Sequence, residues 1–154
     1  MTNSEQLLAI EEIKQLKARY FRCLDTKDWA GFEAVFAPGA SVDYTPPGAN
    51  SADWSVSGRE RIVEFVRRSV EPAITVHHGH MPEVEVTSAT TARAVFAMED
   101  LIWWPERSPR QTLHRWGHYH ETYEKIGGNW YIKSRVLTRL NVESTPDFQS
   151  YYDK

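Results

Sequence analysis

An α+β domain, with N-terminal helices lying in the concave face of a strongly curved antiparallel sheet, is the fold class the sequence predicts. Apolar residues recur at helical spacing up to Val70, and from Ala73 the period changes to two. The second half is also punctuated by turn sequences, Ser88-Ala-Thr-Thr91 and Ile126-Gly-Gly-Asn129. Helices first and a meander second is the signature of segregated layers, and a curved sheet closed by helices leaves a cone that can hold one small organic molecule.

Each element follows from local pattern. Asn3 or Ser4 can cap a first helix, with Glu5 in its first turn and Leu7, Ile10, Ile13, Leu16, Tyr20 and Leu24 on one face, ending near Asp25. Thr26-Lys27 breaks it. Asp28 to Phe36 forms a short second helix stopped by Pro38-Gly39. A strand over 40–44, a Pro-rich loop and a short strand near Trp54–Val56 come next, then a helix over Arg59–Val70 with Ser57 before it. Long strands are expected over 74–87, 92–104, 113–125 and 130–142, with a polar loop at 105–110. One domain over 1–143 with a tail over 144–154, carrying Pro146 and two tyrosines, is the expected organisation.

Bulk composition narrows the function. The chain has 154 residues and a formal net charge of -3, without a basic stripe, so it lacks the footprint of a nucleic-acid binder. It contains no apolar run long enough to span a membrane and opens without a basic, apolar leader; no membrane association and a cytoplasmic location are expected. Its single cysteine, Cys23, excludes an internal disulfide. Six Trp, seven Tyr and six Phe can line an apolar pocket as readily as they can fill a core.

Polar residues set where the pattern predicts burial are the candidates for chemistry: Tyr20 and Asp25 at the end of the first helix, His77 opening the first long strand, Asp100 in the second and Arg139 in the last. An Asp behind an imidazole fixes its tautomer and raises its basicity, giving a base suited to proton removal beside a carbonyl. Asp25 and His77 can form that dyad, and Tyr20 can donate to a substrate oxygen. The structural alternative makes Asp25 a backbone cap, His77 a satisfied core histidine and Asp100 with Arg139 an ion pair. His78 and His80, near Glu83, and His118 with His120 imitate a metal-binding strand pattern, but the Glu comes too soon and no metal is expected. His80 is expected within or beside the pocket, and His78 on the opposite side of the strand from His77. Cys23 is expected to act as a small buried hydrophobe.

The runs Ile13–Trp29, Val76-His-His-Gly-His-Met-Pro-Glu83, Met98-Glu-Asp100 and Tyr123–Ile132 resemble the SnoaL-like branch of the nuclear transport factor 2-like superfamily, over about residues 11–140. Within it they look most like bile acid 7α-dehydratases, with scytalone dehydratase and ketosteroid isomerase as more distant relatives. The resemblance implies a cone-shaped α+β barrel with Tyr20, Asp25, His77, Asp100 and Arg139 as its catalytic set and no cofactor. The implied activity is a cofactor-independent lyase that removes water from a hydrophobic, steroid- or polyketide-like alcohol activated by a carbonyl. An isomerase or cyclase of the same superfamily, or a non-catalytic binding or assembly domain, is the alternative. The resemblance also implies a homo-oligomer, a trimer or a dimer.

Overall fold

The computed structural model describes residues 1–146 and 148. Helix α1 (Asn3–Asp25) opens at Thr2 rather than at Asn3 or Ser4: the Thr2 hydroxyl accepts from the Glu5 N–H and the Glu5 carboxylate accepts from the Thr2 N–H, a reciprocal capping box. Its core face is Ile13, Leu16, Tyr20, Cys23 and Leu24, and Lys17 is buried with them. The helix ends where Lys27 takes a positive φ of 60°, and Asp28 then caps the five-residue α2 (Trp29–Glu33) by accepting from the Gly31 N–H.

Strand β1 (Phe36–Asp43) starts earlier than the sequence suggests and runs through Pro38-Gly39, which sit at a register shift between Phe36 and Ser41 instead of stopping the chain. Tyr44–Asn50 and a single 3-10 turn at Ser51–Asp53 lead to the three-residue β2 (Ser55–Ser57). Helix α3 (Arg59–Val70) buries Ile62, Val63, Val66 and Val70, and its cap position is Gly58, with no side-chain cap. The meander follows as β3 (Ile74–Val86), β4 (Thr91–Trp104), β5 (Gln111–Ile126) and β6 (Asn129–Ser144). The hairpin between β5 and β6 turns through Gly127 and Gly128, both at positive φ, which the primed two-residue turn requires.

The six strands are ordered β2-β1-β6-β5-β4-β3. The meander is antiparallel as expected, but β1 lies parallel to β6, so the sheet is mixed and it does not close into a barrel. The curvature has a visible local cause. At the register shift between Trp116 and Gly117 the two strands approach so closely that a Cβ on Gly117 would lie 1.9 Å from the Thr138 carbonyl oxygen. One face of the sheet packs on α1, α2 and α3 and holds the core; the other is partly exposed. β6 ends at Ser144, and the rest of the expected tail, apart from Thr145, Pro146 and Phe148, lies outside the described residues. Among those residues no helix is long and apolar enough to cross a membrane.

Candidate active site

Inside the curved sheet lies a cavity of about 260 Å³. Leu24 of α1, Phe65, Val66 and Val70 of α3, Ile102 and Trp104 of β4, Leu113 of β5 and Leu137 of β6 make most of its wall, while His77, Asp100, Arg115, Arg139 and Tyr20 bring polar groups into it. Four of the five residues selected from the sequence therefore face one space. The fifth, Asp25, stands behind His77.

The His77–Asp25 pair is built by the last residue of α1 meeting the fourth residue of β3. The Asp25 Oδ1 lies 2.6 Å from His77 Nδ1, its Oδ2 accepts from the His77 N–H at 2.9 Å, and the Thr75 hydroxyl donates to Oδ1 at 2.9 Å. Lys27 then donates to the Thr75 hydroxyl at 2.8 Å. An ionised carboxylate only accepts, so Nδ1 carries a proton, and in the neutral imidazole Nε2 is the nitrogen with the lone pair. Burial acts to raise the Asp25 carboxyl, but the hydrogen bonds and charge of His77, with those of its N–H and Thr75, hold it below the ordinary aspartate value. The arrangement is an oriented base with a negative charge behind it. His77 is buried, 9% exposed, and its Nε2 lies 3.9 Å from Asp100 Oδ2, beyond hydrogen-bond reach.

Asp100 does not pair with Arg139. Its carboxylate is gripped by Arg115, directly opposite on β5, whose Nε and Nη2 donate to Oδ1 and Oδ2 at 2.8 and 2.7 Å. Arg139 pairs in register with Gly117 and donates instead to the Tyr44 and Thr45 carbonyls, at 2.9 and 3.3 Å. Burial, with the neighbouring Arg115, pushes the Arg139 guanidinium down to about 10. The ion pair expected between these strands therefore has a different cation. Arg139 ties the loop after β1 to the end of the sheet.

Sequence reading missed a second layer of polar groups beneath the cavity. Lys17 and Glu121 form a sealed ion pair at 2.6 Å with side chains 1% and 0% exposed, and Glu121 also accepts from the Tyr123 hydroxyl. Burial pushes the Lys17 ammonium down to about 7, although Glu121 pulls it the other way. Arg135 is 1% exposed and donates to the Tyr44 hydroxyl. A signal existed: Glu121 and Arg135 occupy inward-facing positions in strands that otherwise bury Tyr119, Tyr123, Ile132 and Leu137. Tyr20 separates this layer from the cavity, its ring packed among Phe21, Phe32, Phe36 and Tyr119. Burial raises its phenol above the ordinary tyrosine value, with Arg135 opposing.

The remaining histidines lie on the outer face. His78 and His80 stack at 6.2 Å, and Glu99 accepts from His114 at 2.7 Å with His80 Nε2 at 3.5 Å. His80 is outside the cavity because it is three residues from His77 and a strand alternates. His118 and His120 sit 6.1 Å apart on β5. Among the described residues no group of three or more His, Cys, Asp or Glu side chains is arranged to hold a metal ion. Cys23 is buried against Asp28 at 3.6 Å, and burial raises its thiol.

The model of the SnoaL-like domain matches residues 5–136. The protein described as probable cyclase FGR4, from Gibberella zeae, is 26% identical over 133 residues, covering 83% of this chain and 89% of its own. A structure provisionally assigned as a scytalone dehydratase from Novosphingobium aromaticivorans superposes with a TM-score of 0.77 at 20% identity over 97% of this chain and 95% of the other. Hexachlorocyclohexane dehydrochlorinase LinA-type3 from Novosphingobium barchaimii superposes with a TM-score of 0.77 at 16% identity, covering 96% and 97%. At these identities the two structures speak to the fold.

Proposed function

We propose that this chain, which belongs to the SnoaL-like family of the nuclear transport factor 2-like superfamily, is a dehydratase that removes water from a hydrophobic, carbonyl-activated alcohol of steroid or polyketide type. The observation that carries the reading is the His77 imidazole, its Nδ1 spent on Asp25 and its Nε2 left for the cavity. Relatives that bear the names dehydratase, dehydrochlorinase and cyclase support a catalytic role for such a site.

In this reading His77 Nε2 takes the proton from the carbon beside the substrate carbonyl, and the electron pair of that C–H bond moves toward the carbonyl as an enolate. Tyr20 donates to the enolate oxygen. As the carbon–carbon double bond forms, the β C–O bond breaks and the departing hydroxyl takes the proton back from His77, leaving as water. Asp25 steadies the imidazolium in between, and Asp100, held by Arg115, adds negative charge nearby. The mostly apolar wall excludes water and favours a carbocyclic substrate. Self-association is part of the proposal: Ile74, Val136 and Leu140 are exposed at 55%, 43% and 75% on the outer face, and size-exclusion chromatography with light scattering would report a monomer if that part is wrong.

The test is incubation with a panel of cyclic β-hydroxy ketones, steroidal and aromatic, followed by mass spectrometry. Loss of one water supports the dehydratase. An altered retention time with unchanged mass assigns an isomerase or cyclase, and binding without any product assigns a ligand-binding domain.

A further inference from the structure

Arg135 lies under the floor of the cavity without lining it, and its surroundings are hard to explain as packing. Its guanidinium carbon is 4.7 Å from the Tyr20 ring centroid, 4.8 Å from that of Tyr44 and 5.3 Å from that of Tyr119. All three of those tyrosines line the cavity. Its Nη2 donates to the Tyr44 hydroxyl, yet its buried Nε and Nη1 have no hydrogen-bond partner among the described residues. A sealed cation with unmet donors costs stability that an apolar side chain of similar volume would not, so its presence is not accounted for by packing. What it faces supplies a use. A hydroxyl that accepts from a guanidinium cannot return its own proton to it, which leaves the Tyr44 O–H free to donate elsewhere.

We propose that Arg135 is a positioning residue, a buried cation that aims the Tyr20 and Tyr44 hydroxyls into the cavity as a paired donor for a substrate oxygen that becomes negative. The proposal rests on the reading of the site as an oxyanion-forming one. It adds Tyr44 to the donor set and makes the ligand group a carbonyl or phenol oxygen, since two phenols in front of one cation match a single oxygen atom gaining charge. Beyond Arg135, the charged and titratable groups around Tyr20 are Lys17 on its own helix, whose Nζ lies 4.2 Å from the ring, Asp100 on β4, and Tyr119 and Glu121 on β5. Lys17 is engaged by Glu121 and Asp100 by Arg115, which leaves Arg135 as the cation without a carboxylate partner at this floor.

The experiment is 19F NMR on full-length protein carrying 3-fluorotyrosine, whose phenol ionises at lower pH than tyrosine, with the Tyr20 and Tyr44 signals assigned through Tyr20→Phe and Tyr44→Phe. In Arg135→Met the Tyr20 midpoint is expected to rise by about one pH unit or more, as loss of an adjacent cation requires, and in Arg135→Lys to return part of the way. On a substrate that turns over, Arg135→Met is expected to lower kcat by roughly ten-fold with KM within about two-fold. An unchanged Tyr20 midpoint in a folded Arg135→Met protein overturns the proposal. If neither variant folds, Arg135 is a structural residue and the proposal is equally overturned. Because the NMR arm uses no substrate, this outcome is separate from that of the dehydration assay.

Discussion

Two ionic clusters, one at the cavity and one away from it, differ in what they leave unspent. At the cavity, Asp25 is engaged by His77 and Thr75, Asp100 is held by Nε and Nη2 of Arg115, and among the described residues no hydrogen bond engages the His77 Nε2. Away from it, Lys17 and Glu121 close on each other and on Tyr123, and none of the three lines the cavity. The first arrangement leaves one basic atom facing an apolar space, as proton transfer requires. The second has every charge of the pair matched, as stability requires. The ion pairs are equally short, but Asp25 and Arg115 keep 23% and 19% of their side chains exposed where Lys17 and Glu121 keep 1% and 0%, so the free basic atom belongs to the more open cluster.

The contrast can be broken by variants that should affect one property and spare the other. Lys17→Met strips the sealed Glu121 carboxyl of its ion-pair partner and leaves it the Tyr123 hydroxyl, and is expected to lose about 3–5 kcal/mol in urea unfolding. Adding Glu121→Gln should recover most of that loss, because a neutral amide can still accept from Tyr123; failure to recover would show that Lys17 acts through packing rather than charge. Asp25→Asn is expected to reduce turnover by about 10- to 100-fold while changing the urea midpoint far less, since the imidazole loses its orienting charge but not its neighbours. A variant that unfolds but retains full specific activity in its folded fraction would place Asp25 with the second cluster.

Acid should sharpen the same comparison more gently. The Asp25 carboxyl is held below its ordinary value in the folded chain, so its stabilising contribution is complete above the ordinary carboxylate range and is lost as pH falls through the lowered folded value. The stability gap between the parent protein and Asp25→Asn, read from urea midpoints, is therefore expected to narrow steadily below about pH 4. A gap that stays constant down to pH 3 would mean that His77 does not favour the ionised carboxylate.

What the sequence disclosed follows the same division. Asp25 and His77 were legible because a helix end and a strand start are visible in the pattern, and a polar residue at either is conspicuous against apolar neighbours. The partner of Asp100 was not, because it depends on register: Arg115 faces Asp100 across β4 and β5, whereas Arg139 is shifted by the bulge at Trp116 and Gly117, which only the close approach of Gly117 to Thr138 reveals. Lys17 was not singled out, because its partner Glu121 is 104 residues away and no local pattern marks the pair. The parallel pairing of β1 with β6 was hidden by Pro38-Gly39, which reads as a stop but sits at a bulge. His80, expected within or beside the pocket, stands on the outer face beside Glu99, where strand parity relative to His77 puts it.

The claim on which the account turns is that His77 moves the proton, and it is tested most directly by His77→Ala on the hydroxy ketone that loses water most readily with the parent enzyme. Turnover is expected to fall at least ~100-fold with an unchanged circular dichroism spectrum. Turnover comparable to that of the parent in a folded His77→Ala protein would contradict the account.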